Sequence, residues 1–314
     1  MRCYWAGVIT NMTGFICLDK SQDITSFFAV RLMKKILGEK KAGHTGTLDP
    51  LATGVLPVAF GGATRFIELF KSHDKSYNAE IKLGITTDTL DITGTVLTEK
   101  ETHIKRGEIE KVLETFKGKI KQIPPMYSAI RKDGVRLYEL ARQGVEIERE
   151  EREVEIYSLD LTDFDEENQT FSISVSCSEG TYIRTLASDI GEKLSVGATM
   201  TRLRRTKALG FSLDDCVTLE ELEKIVSENK LNEVLFSVED VMPYEKLFVS
   251  MAQAKRFHNG GSLETVRIKQ KTKKETFYRV YSQDKAFLGI GVTDAPNENL
   301  CVKRVYIGDN LNVE

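Results

Sequence analysis

Gly43-His44-Thr45-Gly46-Thr47-Leu48-Asp49-Pro50-Leu51-Ala52-Thr53-Gly54 is the stretch from which the rest of the chain is read. Three glycines and a proline in twelve residues predict an irregular loop rather than a helix or a strand. Glycine lets a backbone lie close against a ligand, with no Cβ in the way. One carboxylate, Asp49, sits in the middle. Pro50 biases it away from the α region, so its side chain starts from an irregular backbone. A lone carboxylate on such a loop can be a nucleophile, a general base or a turn cap, and Asp before Pro is most often a cap. No Gly-Lys-Ser/Thr follows the glycines, so a phosphate-cradling P-loop is excluded.

Outward from the loop, residues 26–37 carry Phe27, Val30, Leu32, Ile36 and Leu37 on a helical repeat, with Ser26 as the cap and Gly38 as the stop. Residues 77–85 alternate, with Tyr77, Ala79, Ile81, Leu83 and Ile85 on one face, which predicts a half-buried strand with Tyr77 pointing inward. Phe171, Ile173, Val175 and Cys177 predict a second alternating strand. An amphipathic helix then follows on Ile183, Leu186, Ala187, Ile190 and Leu194, with Arg184 in its first turn. Glu108–Phe116 reads as a short helix, and Thr218 to Glu221 as the capping box of another. Helices and strands mix without βαβ alternation, so the class is α+β. The acidic stretch from Ser227 to Asp240 reads as a linker. Short strands at Val266–Ile268, Tyr278–Tyr281, Phe287–Val292 and Cys301–Tyr306 predict a small β-rich domain after it.

Composition sets outer bounds. A chain of 314 residues with 41% hydrophobic and 29% charged residues is ordinary for a globular protein and long enough for two domains. No apolar run is long enough to span a membrane. Met1 to Trp5 opens no signal-peptide pattern. Cysteines 3, 17, 177, 216 and 301 form no Cys-x-x-Cys pair and suit a reducing cytoplasm. Histidines 44, 73, 103 and 258 are equally scattered, so a zinc site is not expected. The net charge of −3 is unevenly spread: residues 246–314 hold 12 lysines and arginines against 7 acids. Arg202, Arg204, Arg205 and Lys207 form one acid-free run, and Lys269, Lys271, Lys273 and Lys274 another. Such runs are either solvated faces or the places where a protein meets a phosphate backbone.

The run GHTGTLDPLATGVLPV, followed by Gly61-Gly62-Ala63-Thr64-Arg65, resembles the central motif of the TruB family, the bacterial tRNA pseudouridine-55 synthases. The likeness continues in order: Tyr77 with Gly84, Thr87-Asp88-Thr89 and Asp91; Met126-Tyr127-Ser128-Ala129 with Gly134 and Leu137-Tyr138; Gly180-Thr181-Tyr182-Ile183-Arg184; and Leu203-Arg204-Arg205. Two departures stand out. Lys20-Ser21-Gln22-Asp23-Ile24-Thr25-Ser26 lacks the family's proline and glycine after the lysine, and Arg131 replaces a lysine.

The resemblance implies a pseudouridine-synthase-type fold, a mixed and largely antiparallel sheet flanked by helices. It implies a catalytic domain over residues 1–240 with an RNA-gripping insertion at 122–152, and a PUA-like RNA-binding domain at 246–314. The implied reaction isomerises the uridine at position 55 in the T-loop of tRNA, by breaking C1′–N1, turning the base and forming C1′–C5. Asp49, Tyr77 and Arg184 are the implied catalytic residues. His44, Tyr182, Leu203, Lys20, Arg131 and Arg142 are the implied substrate contacts, with Lys20 either touching RNA or bracing the site. No cofactor, guide RNA or membrane is implied, and a cytoplasmic monomer is expected. Two other readings stay open: a tRNA-folding helper whose chemistry is secondary, and a glycosidase using Asp49 and Asp91 as a carboxylate pair. Asp91 lies in a Thr-rich turn, which reads as a structural cap.

Overall fold

The structure, a computed structural model, describes residues 12–128, 130–132 and 134–307; the side chains of Arg131, Lys132 and Arg136 also lie outside the description. The segment Met1–Trp5 with Cys3, and Ala129 of the insertion motif, fall outside the described residues.

One large mixed sheet organises the first 217 residues. Its main strands are β1 (Gly14–Lys20), β2 (Thr53–Phe60), β3 (Lys75–Leu83), β4 (Gly118–Gln122), β5 (Arg152–Asp165), β6 (Thr170–Cys177), β7 (Ala198–Ala208) and β8 (Cys216–Val217). They lie in the order β8-β1-β2-β7-β3-β6-β5-β4. Two pairs are parallel, β1 with β8 and β2 with β7, and the other neighbours are antiparallel. The short strand Ala42–His44 pairs with the far end of β2.

Alternation along the strands sends side chains to two cores. On one face Ile16, Leu18, Leu56, Val58, Tyr77, Ile81 and Ile173 join the apolar sides of α1 (Ser26–Leu37), α2 (Arg106–Glu114), α4 (Ile183–Lys193) and α5 (Leu219–Ser227). The helix between α2 and α4 in chain order, α3 (Leu137–Arg142), belongs to the insertion. On the other face Phe15, Cys17, Val55 and Ala59 meet the 3₁₀ segment Gly61–Leu69, and also Tyr281, Phe287 and Ile290 from the C-terminal part.

That C-terminal part is a five-stranded sheet: β9 (Glu245–Phe248), β10 (Leu263–Glu264), β11 (Phe277–Tyr281), β12 (Phe287–Thr293) and β13 (Asn299–Val305), in the order β9-β11-β12-β13-β10. Leu247, Phe257, Tyr278, Val280, Leu288 and Leu300 give it a core of its own.

The structure corrects several expectations. The cap of α1 is Thr25, whose hydroxyl accepts from the Phe28 amide at 3.1 Å; Gly38, in the left-handed region, ends the helix. Ser26 is freed for another task, described below. Strand β3 stops at Leu83, because Gly84 turns at φ 82, so Ile85 opens a new strand. Val266 lies in a 3₁₀ turn, not a strand. Residues 227–240 are not an open linker: the Phe236 amide and carbonyl bond Phe15 at 2.9 and 2.8 Å, and Leu231 and Val238 are buried. Acidic composition hid these apolar anchors, Leu231, Phe236 and Val238, which follow no regular repeat. The run Arg202–Lys207 is not a basic stripe either, since a strand's side chains alternate. Arg204 pairs with Asp19 at 2.7 Å while Arg205 is fully buried.

Candidate active site

The loop begins where the Ala42–His44 strand ends and closes where β2 begins. Gly43 and Gly54 lie within those strands, so only residues 45–52 are irregular. A tight turn forms at its centre: the Ala52 amide donates to the Asp49 carbonyl at 3.0 Å, with Pro50 at the position its fixed φ suits. Leu48, Leu51 and Ala52 are buried and pull the turn against the core. The Ser26 hydroxyl accepts from the Leu48 amide at 2.8 Å and donates to the Leu48 carbonyl at 3.0 Å. Lys20 is fully buried, and its Nζ donates to the Ser21, Ile24 and Pro50 carbonyls at 2.8, 2.7 and 3.5 Å. Burial lowers its pKa to about 8. The geometry is that of a brace. Lys20 holds this turn even though the family's proline and glycine are missing beside it.

Arg184, in the first turn of α4, reaches the loop. Its Nη2 stands 2.9 Å from the Asp49 Oδ2. Three further contacts pin it: Nη1 donates to the Thr89 carbonyl at 3.0 Å, Nη2 donates to the Tyr127 carbonyl at 2.8 Å, and Asp91 Oδ2 lies 3.8 Å from Nη1. The guanidinium is therefore buried and satisfied, and the Tyr127 bond ties the insertion to the site. Asp49 keeps 39% of its side chain exposed, so it is the open member of the group. Burial raises its pKa; Arg184 opposes the shift, and Asp91 adds to it.

Asp91 was read as a cap and does act as one. Its Oδ1 accepts from the Thr93 amide and from the hydroxyls of Thr89 and Thr93, at 3.0, 3.0 and 2.5 Å. It is buried, and faces Arg184 rather than open space. Two carboxylates thus converge on one arginine, but only Asp49 can meet a ligand, which removes the geometry a glycosidase pair needs.

Tyr77 is 7% exposed and lies opposite Arg205 in the β3–β7 register; Leu203, opposite Ala79, flanks it. Burial pushes the Tyr77 phenol up to about 12. Tyr182 caps α4 with its backbone, exchanging hydrogen bonds with the Gln122 side chain at 3.0 and 3.3 Å. Its phenol is raised by burial. His44 is half-buried with an unpartnered Nδ1, and burial, then the Arg205 charge, lower its pKa. Arg142 stands apart, its Cζ 5.4 Å over the Tyr138 ring at the end of α3. Arg131 contributes backbone to the small hairpin with Val135–Arg136, and its side chain lies outside the described residues. Among the described residues, no group of three or more His, Cys, Asp or Glu could hold a metal, and no helix is long and apolar enough to cross a membrane.

Sequence reading missed three residues here. Ser26 was taken for a helix cap. Asp91 was given no part in orienting Arg184. Arg205 belongs to the acid-free run with Arg202, Arg204 and Lys207, and strand alternation, once the strand is known, sends its side chain to the buried face opposite the part-exposed Arg204.

Comparison with known proteins identifies the family. Residues 34–183 match the N-terminal domain of the TruB family pseudouridylate synthases, and residues 184–248 match the tRNA pseudouridylate synthase B C-terminal domain. The tRNA pseudouridine synthase B of Clostridium tetani is 43% identical over 282 residues, covering 89% of this chain and 95% of that one. Its Pseudomonas fluorescens counterpart is 52% identical over 218 residues, or 69% of this chain and 71% of that one. Among solved structures, a chain in a Cbf5-Nop10-Gar1 complex superposes with a TM-score of 0.72 at 25% identity, over 94% of this chain and 85% of that one. A chain of an H/ACA RNP bound to a substrate RNA shares the fold at a TM-score of 0.71 and 23% identity. By sequence and by fold, this chain belongs to the TruB family of pseudouridylate synthases.

Proposed function

We propose that the protein isomerises a uridine of tRNA to pseudouridine, at position 55 in the T-loop, as a cytoplasmic monomer that needs no guide RNA. The observation that carries the reading is the Asp49–Arg184 pair: one exposed carboxylate, held by a buried arginine that has no freedom to leave. The reaction keeps every heavy atom within one nucleotide. N1 leaves C1′, C5 replaces it, the C5 proton is lost and N1 gains one. Asp49 serves the sugar or the base while that bond is broken.

The target base must leave the T-loop stack to reach a carboxylate at the bottom of a loop. Tyr77 and Leu203 then form the wall it stacks on, and Tyr182 closes the side next to Arg184. His44, on the loop's entry strand, takes the place of the flipped base. The insertion at 122–152, with Arg131 and Arg142, grips the single-stranded loop, where RNA is read by stacking and base edges. The C-terminal sheet carries exposed Lys269, Lys271 and Lys274 and serves as the PUA-like RNA-binding domain over 246–314. Tyr77 also removes the C5 proton at the end, through the small fraction of its phenol that is ionised at neutral pH.

The test is incubation with an unmodified tRNA transcript and chemical mapping of pseudouridine. A single new pseudouridine in the T-loop is expected. A protein that binds and refolds the transcript without forming it is a folding helper, and the reading falls.

A further inference from the structure

Two cations beneath the catalytic loop take no part in the Asp49–Arg184 pair. Arg205 is fully buried; its Nε donates to the Val55 carbonyl at 2.7 Å and its charge acts on the Tyr77 phenol, yet Nη1 and Nη2 have no well-formed hydrogen bond among the described residues. Lys75 stands two residues before Tyr77 on β3, and therefore on the same face. Its Nζ donates to the His73 carbonyl at 3.1 Å, and Glu179 and Asp74 act on it without forming an ion pair. Burial and the charge of Arg205 both lower the Lys75 pKa. Two like charges brought together, with no ion pair to either among the described residues, are unfavourable in a low-dielectric setting.

Gly46 separates them from solvent. It is exposed, adopts φ 67, and a Cβ on it would come within 3.0 Å of Lys75 Cε and 3.2 Å of Arg205 Nη1. The bare backbone thus leaves half-buried Lys75 within reach of a group arriving at the loop, with the Arg205 charge close behind it. Tyr77 lies about 7 Å along the strand from Lys75, at ~3.4 Å per residue.

We propose that Lys75, Arg205 and the backbone at Gly46 form a subsite for one phosphodiester of the RNA strand, the linkage next to the nucleotide held at Asp49. The proposal rests on the RNA-isomerase reading above and adds where the backbone is held. Lys75 makes the contact at the surface, and the Arg205 guanidinium, one layer below, supplies fixed positive charge. The subsite places the backbone so that the flipped base falls against Tyr77.

The test uses T-arm hairpins that each carry one neutral methylphosphonate linkage, with matched charged controls, bound to the wild-type protein and to Lys75→Gln. Expected for wild type is a loss of about tenfold at one linkage beside the target uridine, the size of one charge-assisted hydrogen bond, and little elsewhere in the loop. In Lys75→Gln that penalty should disappear, and the log–log salt slope should shallow by ~0.7, the value for one contact to a single strand. Equal penalties at all linkages in the wild type overturn the subsite, whether or not the variant folds. So does the same linkage penalty in both proteins. Pseudouridine mapping on the same hairpins separates the two claims. A linkage effect without isomerisation sinks the functional reading and leaves the subsite standing; isomerisation without a linkage effect does the reverse.

Discussion

Arg184 shows how one residue converts a turn into a reactive group. Its Nη1 and Nη2 groups are divided between two carbonyls and two carboxylates, so its direction is over-determined and Asp49 inherits that direction. Replacing Asp49 by Asn keeps the shape and removes the charge. Turnover should fall to background while tRNA binding persists; measurable single-turnover conversion by the variant would exclude Asp49 as the essential carboxylate. Asp91 acts at one remove. Its charge helps raise the Asp49 pKa above the ordinary 3.8, so the acid limb of kcat/KM should lie above that value in the wild type. The sign for a variant follows: without the Asp91 charge the Asp49 carboxyl ionises more easily, so Asp91→Asn should move the limb to lower pH. An upward or absent shift in the pH profile contradicts the coupling. Tyr77→Phe keeps a ring to stack on and removes the hydroxyl. A large fall in turnover with tRNA affinity nearly unchanged is expected, and a collapse of affinity with turnover held at saturation would make Tyr77 a binding residue only.

At the scale of elements, the site depends on how closely two strands and one helix approach the loop. Gly54 opens β2 in parallel register with Arg205, at φ 99, where a Cβ would stand 2.2 Å from the Arg205 carbonyl oxygen. No side chain can move to relieve that clash, because the obstacle is backbone. Gly54→Ala should therefore cost roughly 3 kcal/mol or more in denaturant unfolding, from strain at a positive φ plus overpacking; a variant as stable as wild type would show that the strands are not in this register. Ser26 joins the first turn of α1 to the loop through both polar groups of Leu48. Ser26→Ala leaves a buried amide and carbonyl unmet, about 1–3 kcal/mol of destabilisation. Its effect on kcat should exceed its effect on KM, since it loosens the turn that carries Asp49.

For the whole molecule, the C-terminal sheet is more than an appended RNA grip. Tyr281, Phe287 and Ile290 fill the same core as Phe15, Phe66, Phe70 and Phe211, and Tyr306 packs on Phe66 with ring centroids 6.3 Å apart. Tyr244 donates to the Leu69 carbonyl at 2.5 Å, and Arg304 Nε to the Arg65 carbonyl at 3.0 Å. The basic charge of residues 246–314 is only part of what they contribute, and the shared core decides what their loss does. The truncated chain should bind a hydrophobic dye, unfold without a cooperative transition and aggregate, by exposing an apolar patch well beyond what a monomer tolerates. A cooperatively folded, soluble truncation would show that the second face of the sheet does not need this cover.

Local pattern carried much of this protein. The alternation of β3 and β6, the limits of α1, the repeat of α4, the capping box of α5 and the turn chemistry around Asp49 are short-range properties, set by residues within a few positions of one another, and each was legible in the chain; the buried face of α1 was not, since Ala29, Val30, Met33 and Leu37 form it and Phe27 is exposed. The ordered motifs also point to one family. What only the tertiary structure decided is the set of contacts between residues far apart in sequence: Ser26 with Leu48, Lys20 with Pro50, Arg184 with Thr89 and Tyr127, and Arg205 beneath Gly46. A polar or cationic side chain looks alike in sequence whether it faces water or a buried carbonyl. Burial and partner are fixed by how the sheet brings strands 150 residues apart into register, as Thr53 beside Arg204 shows, and that pairing is a property of the fold rather than of any one segment.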